Sequence, residues 1–295
     1  MRLFLSIFAA CLMLSPLPAG AQSDAGSRAG DPRRIVSIGG AITEILYALG
    51  EEDRIVAVDT TSLFPPDALA TKPDVGYLRR LSAEGVLSLS PDLILMEEGA
   101  GPPEAVELID AAGVAVEHVP TGGSPEALQD KVRIVADAVG RTGEGEAMAK
   151  RIGEAFAALA ADLQGVGEKK RVLFILSMSD GRPNAAGSGT GADAVMRLAG
   201  AENVLGDVEG YKVLSTEAAA ALAPDVILTV SGAGPSGVDP LSVPALAATP
   251  AGTSGSVVTM DALRLLGFGP RTPEAVRELA AALYPDEVSK TEAGR

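Results

Sequence analysis

An internal repeat constrains the fold of this 295-residue chain more than any other feature. The segment 81–101 (LSAEGVLSLSPDLILMEEGAG) aligns without gaps with the segment 214–234 (LSTEAAAALAPDVILTVSGAG), at a constant offset of 133 residues. Each copy has the pattern of a short helix, then Pro-Asp, then a buried strand. Because self-similarity of this kind marks duplicated structural units, we predict two homologous lobes.

Strands and helices alternate on both sides of a helical middle region, 125–164. Runs of apolar and β-branched residues predict strands at 34–38, 54–59, 92–96 and 114–119, and again at 171–176, 225–230 and 256–260. Helical spacing followed by Gly predicts helices between them. We therefore predict an α/β fold: two pseudo-symmetric Rossmann-like lobes with mostly parallel sheets, joined by one long helix.

The same patterns suggest boundaries for each part of the chain. The predicted segments are a signal peptide (1–21), a flexible N-terminal tail (22–31), an N-terminal α/β lobe (32–141), a linking helix (142–166), a C-terminal α/β lobe (167–288) and a C-terminal tail (289–295).

The first 21 residues have the features of a secretory signal. Arg2 precedes an apolar run, and Ala19-Gly20-Ala21 supplies the small residues that precede cleavage, so we expect the chain to be exported and its mature form to begin at Gln22. Cys11 is the only cysteine, and the apolar residues around it favour plain cleavage over lipidation. A mature chain without cysteine excludes disulfides, thiolate metal sites and cysteine nucleophiles.

Composition excludes several classes of function. The formal net charge of −15, with 3% aromatic residues and no Trp, argues against nucleic-acid binding. His118 is the only histidine, so multi-histidine metal sites are excluded, and a lone histidine at the end of a strand favours a structural role. The Gly-rich turn at 188–191 lacks the Lys of a nucleotide-binding loop and is typical of a helix cap.

Six segments carry a resemblance to a known family, and together with the helical middle they cover nearly the whole mature chain. They are SIGGAITEILYALG (37–50), VDTTSLFP (58–65), DVGYLRRLSAEGVLSLSPDLIL (74–95), GTGADAVMRLAG (189–200), EGYKVLSTEA (209–218) and LGFGPRTPEAVREL (266–279). The chain resembles the helix-linked substrate-binding proteins of bacterial ABC importers for iron chelates, cobalamin and haem. Within that superfamily it looks most like the periplasmic haem-binding proteins.

The resemblance implies haem b as the transported ligand and Tyr77 as the axial ligand of its iron. A phenolate oxygen suits Fe(III), and a nearby guanidinium favours its ionised form. Arg79 lies two residues further on and is the expected electrostatic partner. The Gly-Tyr segments that precede the two repeat copies are predicted to be loops, so Tyr77 and Tyr211 are each expected in a loop. Tyr211, the repeat counterpart of Tyr77, is expected to stack on the other haem face or to line the inter-lobe cleft, and Arg271 is a candidate clamp for a propionate. For Arg271, a solvent-exposed position at a helix start is an equal alternative.

Glu84 and Glu217 occupy equivalent positions of the repeat, each seven residues before Pro-Asp. Stabilisation of a helix N-terminus explains both acids locally. The resemblance adds a second role, in which one Glu of each lobe docks on the permease of an inner-membrane ABC importer. It also implies a monomeric carrier rather than an enzyme, with an outer-membrane haem receptor as a further partner.

Two other hypotheses remain open from the residues alone. A protein of the same fold would bind a ferric siderophore or a corrinoid. An enzyme on a two-lobe scaffold would use Asp59, Asp180 or Glu44 for acid–base chemistry, although nothing in the sequence places two of these carboxylates together.

Overall fold

The computed structural model describes residues 31–232 and 239–292. The N-terminal part contains β1 (Ile35–Ile38), α1 (Gly40–Ala48), β2 (Ile55–Val58), α2 (Asp67–Thr71), α3 (Ala83–Leu87), β3 (Leu93–Glu97), α4 (Pro103–Asp110), β4 (Ala115–Val119), α5 (Pro125–Ala138) and α6 (Thr142–Asp162). The C-terminal part contains β5 (Arg171–Ser179), β6 (Arg182–Ala186), α7 (Gly191–Leu198), β7 (Glu202–Asn203), β8 (Tyr211–Val213), α8 (Thr216–Ala221), β9 (Val226–Ser231), α9 (Pro244–Ala247), α10 (Pro250–Ser254), β10 (Val257–Asp261), α11 (Ala262–Leu266), α12 (Thr272–Leu283) and α13 (Pro285–Glu292).

Each lobe is built on its own sheet, and the predicted α/β fold is confirmed. Within the described ranges, the N-terminal sheet has the order β2-β1-β3-β4 and every pairing is parallel. The C-terminal sheet has the order β10-β9-β5-β6-β8, with β7 beside β5. Here β10, β9, β5 and β7 pair in parallel, whereas β6 and β8 add an antiparallel extension that the sequence analysis did not predict.

The strands are apolar on both faces because both faces of each sheet are covered. In β3, Leu93 and Leu95 belong to one hydrophobic cluster while Ile94 and Met96 belong to another. The cluster that holds Leu93 and Leu95 also contains residues of β5, α6 and α12, so the two lobes share one continuous core. A shared core of this kind opposes large changes in the angle between the lobes.

The repeat seen in the sequence is also present in the backbone. Ser82 and Ser215 cap α3 and α8, each by accepting a hydrogen bond from the backbone N–H three residues later. Ser90 and Ala223, which precede the two Pro-Asp pairs, both have positive φ, at 48° and 45°. Because non-glycine residues seldom adopt this conformation, its recurrence at the repeat offset supports a common origin of the two lobes.

The Asp of each Pro-Asp pair starts a strand in the same way. Asp92 accepts a hydrogen bond from the backbone N–H of Arg34 at 2.9 Å, and Asp225 accepts one from that of Arg171 at the same distance. Each of these arginines also donates from its guanidinium to a carbonyl just before Pro-Asp: Arg34 to Ser90 at 2.9 Å and Arg171 to Ala223 at 3.1 Å. The duplicated Pro-Asp therefore sets the relative position of two neighbouring strands in each sheet.

The long helix α6 lies inside the segment predicted to link the lobes and packs against α5, with Gly145 beside Ala136 and Gly153 beside Gln129, so the two helices run antiparallel. Ion pairs connect its two ends to different parts of the fold. At its start Arg141 pairs with the buried Glu51 of the N-terminal lobe, and at its end Asp162 accepts a hydrogen bond from Arg277 of α12 at 2.8 Å. At the other end of the chain, α13 continues past residue 288, where the C-terminal lobe was predicted to end.

Some predictions fall on parts of the chain that the structure does not describe. The signal peptide, Cys11, the tail at 22–30, the repeat positions Ala233 and Gly234, and residues 293–295 lie outside the described residues. Within the ranges that are described, no helix is both long and apolar enough to cross a membrane.

Candidate functional site

Tyr77 lies on a loop that is fixed at the carboxyl edge of the N-terminal sheet. Two backbone hydrogen bonds hold the loop beside the end of β2: Val75 donates to Val58 at 2.9 Å, and Thr60 donates to Gly76 at 3.0 Å. Gly76 has a φ of 92°, a conformation that a residue with a side chain rarely adopts. Tyr77 is 43% exposed, which is high for a large aromatic residue and leaves it accessible to a ligand.

A second anchor holds the loop on the segment that follows β3. Gly101 donates a backbone hydrogen bond to Leu78 at 2.9 Å and accepts one from Leu81 at 2.7 Å. Arg79 lies between these two bonds, and its side chain is exposed. The loop therefore presents Tyr77 and Arg79 from a backbone that is hydrogen-bonded on both sides.

Tyr211 occupies the equivalent place in the C-terminal lobe, but its local structure differs from the prediction. The sequence analysis placed it in a loop, whereas it begins β8 and pairs with Ala186 of β6. The preceding Gly210 has a φ of 73°, as Gly76 has positive φ before Tyr77. Tyr211 is 39% exposed. The antiparallel β6–β8 extension thus carries the second tyrosine.

Electrostatics connect Arg79 to the other lobe. Burial raises the pKa of the Tyr211 phenol above its usual value, and the positive charge of Arg79 partly offsets that rise. Arg79 of the N-terminal lobe and Tyr211 of the C-terminal lobe are therefore within electrostatic range of each other. The sequence analysis paired Arg79 with Tyr77 alone, because residues of different lobes cannot be placed together from local spacing.

A group of buried charges lies at the same edge of the N-terminal sheet. Lys131 of α5 is only 2% exposed, and its Nζ is 3.7 Å from Oε1 of Glu97 at the end of β3. Burial raises the pKa of the Glu97 carboxyl, Lys131 and Arg79 lower it, and Asp59 raises it further. Asp59 itself is buried and accepts hydrogen bonds from Gly39, Thr61 and Ser62.

Arg271 precedes α12 in the C-terminal lobe and is held by two residues of the N-terminal lobe. Its backbone N–H donates to Oε1 of Glu44 at 3.0 Å, and its Nη2 donates to Oε2 of the same carboxylate at 2.9 Å. The guanidinium carbon lies 3.4 Å from the centroid of the Phe64 ring. Neither Glu44 nor Phe64 was predicted to contact Arg271, since more than 200 residues separate the partners in sequence.

Exposed apolar side chains are concentrated on the same segments. Among the described residues, the large hydrophobic side chains that remain exposed are Leu63, Tyr77, Leu108, Tyr211 and Val213. All except Leu108 lie on the segments that carry Phe64, Tyr77 or Tyr211. Apolar surface beside a few positive groups suits a ligand that is mostly hydrophobic and carries negative charge at one end.

The other predicted residues lie apart from this arrangement. Glu84 and Glu217 are exposed in α3 and α8. His118 is exposed at the edge strand β4, and its Nε2 is 3.0 Å from Asp110 of α4. Asp180 lies in the turn between β5 and β6, where it has a φ of 52°. No group of three or more potential metal-ligating acids, histidines or cysteines occurs in the part of the chain that the structure describes.

Comparison with known proteins identifies the family. The model of the periplasmic binding protein family matches residues 35–263. The chain belongs to this family. The predicted resemblance to the helix-linked substrate-binding proteins is thereby confirmed, and the two-lobed architecture is the one that this family shares.

Among solved structures, periplasmic binding proteins for haem are close in fold and in sequence. The haem-binding protein BhuT in complex with two haems is 42% identical, with a TM-score of 0.78 over 85% of this chain and 98% of that one. The apo form of the haem-binding protein RhuT from Roseiflexus sp. RS-1 is 39% identical, with a TM-score of 0.80 over 86% of this chain and 98% of that one.

The relatives found by sequence have different names. An uncharacterized ABC transporter substrate-binding lipoprotein of Bacillus subtilis, YvrC, is 27% identical over 87% of this chain and 81% of its own length. A cobalamin-binding protein of Halobacterium salinarum is 24% identical over 86% of this chain and 70% of its own length. The family of solute-binding transport proteins is therefore established, and the comparisons leave the particular solute open.

Proposed function

We propose that this periplasmic binding protein carries haem in the periplasm and delivers it to an ABC importer, without catalysing a reaction. The observation that carries the proposal is the exposed Tyr77, held on an anchored loop beside Arg79, whose charge acts on Tyr211 of the other lobe. The likeness to haem-binding proteins at 42% and 39% identity supports the same ligand.

Each proposed residue has a separate part in binding haem. The phenolate oxygen of Tyr77 is the proposed axial ligand, because a hard anionic donor suits Fe(III). A free tyrosine has a pKa near ~10, so it needs a neighbouring positive charge or the iron itself to ionise at neutral pH. Arg79 supplies that charge. Tyr211 lines the opposite wall of the cleft, and Arg271 is proposed to bind a propionate.

A titration with hemin tests this proposal. The wild-type protein is expected to give a Soret band with the high-spin pattern of a ferric tyrosinate complex, and Tyr77→Phe is expected to abolish that pattern. Tyr47→Phe is the matched control, because it makes the same chemical change near the C-terminal end of α1. An identical spectrum for wild type and Tyr77→Phe would reject the ligand assignment.

A corrinoid or a ferric siderophore is the alternative ligand, and the cobalamin-binding relatives favour the corrinoid. The two hypotheses differ in their dependence on Tyr77, since a corrinoid carries its own metal ligands. Calorimetry with cyanocobalamin and hemin side by side separates them. Tight binding of cyanocobalamin that is unaffected by Tyr77→Phe would replace haem with a corrinoid as the proposed solute.

Glu84 and Glu217 are proposed to dock the carrier on the permease. Both are exposed on the duplicated short helices. A backbone N–H lowers the pKa of the Glu217 carboxyl most, and the side chains of Ser215 and Thr216 lower it further. Glu84→Gln and Glu217→Gln are expected to leave the hemin spectrum unchanged and to reduce uptake by the reconstituted importer. Glu104→Gln is the control, because Glu104 is likewise an exposed acid in the first turn of a helix.

Export by a cleaved signal peptide completes the proposal. The mature protein is expected to be a monomer in the periplasm that begins at Gln22, with an outer-membrane receptor supplying its haem. Intact-mass spectrometry of the periplasmic protein measures the cleavage site, and a lipid-modified Cys11 would contradict it.

A further inference from the structure

Arg271 is held more tightly than a solvent-facing arginine at a helix start. Glu44 binds both its backbone N–H and its Nη2, so one carboxylate determines the position of the residue and the direction of its guanidinium. Glu44 is itself buried in the first half of α1. Because a bidentate contact with two separate groups of one residue restricts rotation, the side chain is fixed in a single orientation.

The ring of Phe64 restricts the guanidinium further. The 3.4 Å distance from Cζ to the ring centroid is that of a stacked arginine, so this face of the guanidinium is closed. The Nε of Arg271 is buried and has no hydrogen-bond partner among the described residues. Nε is closed off by burial and Nη2 is bound to Glu44, so Nη1 is the nitrogen whose two N–H groups are both left for a ligand among the described residues.

The segment after β2 connects this arrangement to the loop of Tyr77. Thr60 donates a hydrogen bond to Gly76, the residue before Tyr77, and Phe64 of the same short segment supports Arg271. Leu63, between them, leaves an apolar side chain exposed. The proposed iron ligand and the guanidinium of the opposite lobe are therefore both contacted by one segment of six residues, 59–64.

We infer that Glu44 and Phe64 are positioning residues, which orient Arg271 so that its Nη1 binds a carboxylate of the ligand. This inference rests on the proposed function, in which the ligand is a porphyrin with two propionates. Because Glu44 neutralises the charge of Arg271, the guanidinium acts mainly as a directed hydrogen-bond donor and not as a free positive charge. Its contribution then depends on orientation, which Glu44 and Phe64 control.

Two ligands that differ only in their carboxylates test the inference. Hemin and hemin dimethyl ester are titrated into wild type, Glu44→Gln, Arg271→Gln and the double variant. Each single variant is expected to weaken hemin about tenfold, the loss of roughly one charge-assisted hydrogen bond. The affinity for the ester is expected to stay unchanged, and the double variant is expected to lose no more than Arg271→Gln alone. Glu278→Gln is the control, since it removes an exposed carboxylate from Arg264 outside the site.

Two results would overturn the inference. Equal weakening of hemin and its ester by Glu44→Gln would mean that Glu44 only maintains the structure. Tighter binding of hemin by that variant would mean that the free charge of Arg271 matters and its orientation does not. Phe64→Leu provides a second variant, which keeps an apolar side chain under the guanidinium and removes the ring. It is expected to weaken the binding of hemin less than Glu44→Gln does, and to leave the affinity for the dimethyl ester unchanged.

A measurement without ligand separates this inference from the proposed function. The Nε–H of Arg271 is buried, so its NMR signal is expected to exchange slowly with water in the wild type and rapidly in Glu44→Gln. Unchanged exchange would overturn the positioning role, whatever the protein binds. If the wild type binds no hemin at all, the proposed function is wrong. The proposed contact between Nη1 and a ligand carboxylate is then wrong as well, whereas the exchange measurement still tests whether Glu44 orients Arg271.

Discussion

The buried pair of Lys131 and Glu97 offers a quantitative test of how this edge of the sheet is stabilised. Lys131 is almost fully buried, Glu97 is 19% exposed at its side chain, and the two charges are 3.7 Å apart. Lys131→Met keeps a long apolar side chain and removes the charge. It leaves Glu97 beside Asp59 with only Arg79 to compensate it.

The expected loss follows from the distance and the burial. At an effective dielectric constant near 20, two unit charges at this separation attract by about 4 kcal/mol. Removing one partner of a buried pair typically costs about 3–5 kcal/mol, and the partial exposure of Glu97 favours the lower end. We expect Lys131→Met to lower the free energy of unfolding by about 3 kcal/mol, and Glu97→Gln to lower it by a similar amount. The double variant is expected to lose only about 2 kcal/mol, because neither charge is then left unpaired.

Urea unfolding at several pH values measures these free energies. Burial raises the pKa of Glu97 in the folded state, so the stability gained from its neutral form is present below the unfolded pKa of about 4.3 and is lost as the pH rises. Without Lys131 the folded pKa of Glu97 rises further. The deficit of Lys131→Met relative to wild type is therefore expected to be small at pH 4 and to grow towards pH 7.5.

A control pair has the same geometry without the burial. Lys150 and Glu154 of α6 are also 3.7 Å apart, and both are exposed. Lys150→Met is expected to change the unfolding free energy by less than about 0.5 kcal/mol at either pH. Additive losses in the Lys131 and Glu97 double variant, or a deficit that does not depend on pH, would refute the electrostatic account.

Two further predictions concern packing and helix capping. A Cβ on Gly123 would lie 2.5 Å from the Cβ of Ala194 in the other lobe, so Gly123→Ala is expected to destabilise the protein by about 1–3 kcal/mol in thermal unfolding. Gly143→Ala in α6, where the new methyl group meets open space, is expected to stabilise it by up to about 1 kcal/mol, and a loss there would contradict the reasoning. Ser82→Ala and Ser215→Ala are each expected to lower the free energy of unfolding in urea by about 1 kcal/mol, because each removes the N-cap of a helix. An unchanged free energy in either variant would mean that water replaces the cap.

Local patterns were sufficient to predict the α/β architecture and the two lobes. Runs such as DLILM at 92–96 and DVILTV at 225–230 are apolar on both faces, which is typical of a strand covered on both sides. The ungapped repeat predicted that a helix and a strand of one lobe correspond to a helix and a strand of the other. The structure shows this correspondence even in the positive φ of Ser90 and Ala223. The positions of Tyr77 and Arg79 on one loop followed from the same local reasoning.

The antiparallel strands of the C-terminal lobe escaped prediction for a physical reason. RPNAA at 182–186 and YKV at 211–213 are short and contain polar residues, so neither has the apolar pattern of a strand. They form strands because they pair with each other, and β6 also pairs with β5. Such pairing is a property of the assembled sheet, and it placed Tyr211 on a strand instead of in a loop.

In the candidate site too, features of contiguous sequence could be predicted, whereas contacts between residues far apart in sequence could not. The repeat and the residue types of the Tyr77 loop are properties of contiguous sequence, and with the other resembling segments they were enough to predict the family. The partners Glu44 and Arg271, the ring of Phe64 beneath the guanidinium, and the reach of Arg79 to Tyr211 join residues of different lobes. Hydrogen bonds and charges act over a few ångströms in space, so these contacts arise only when folding brings the two lobes together.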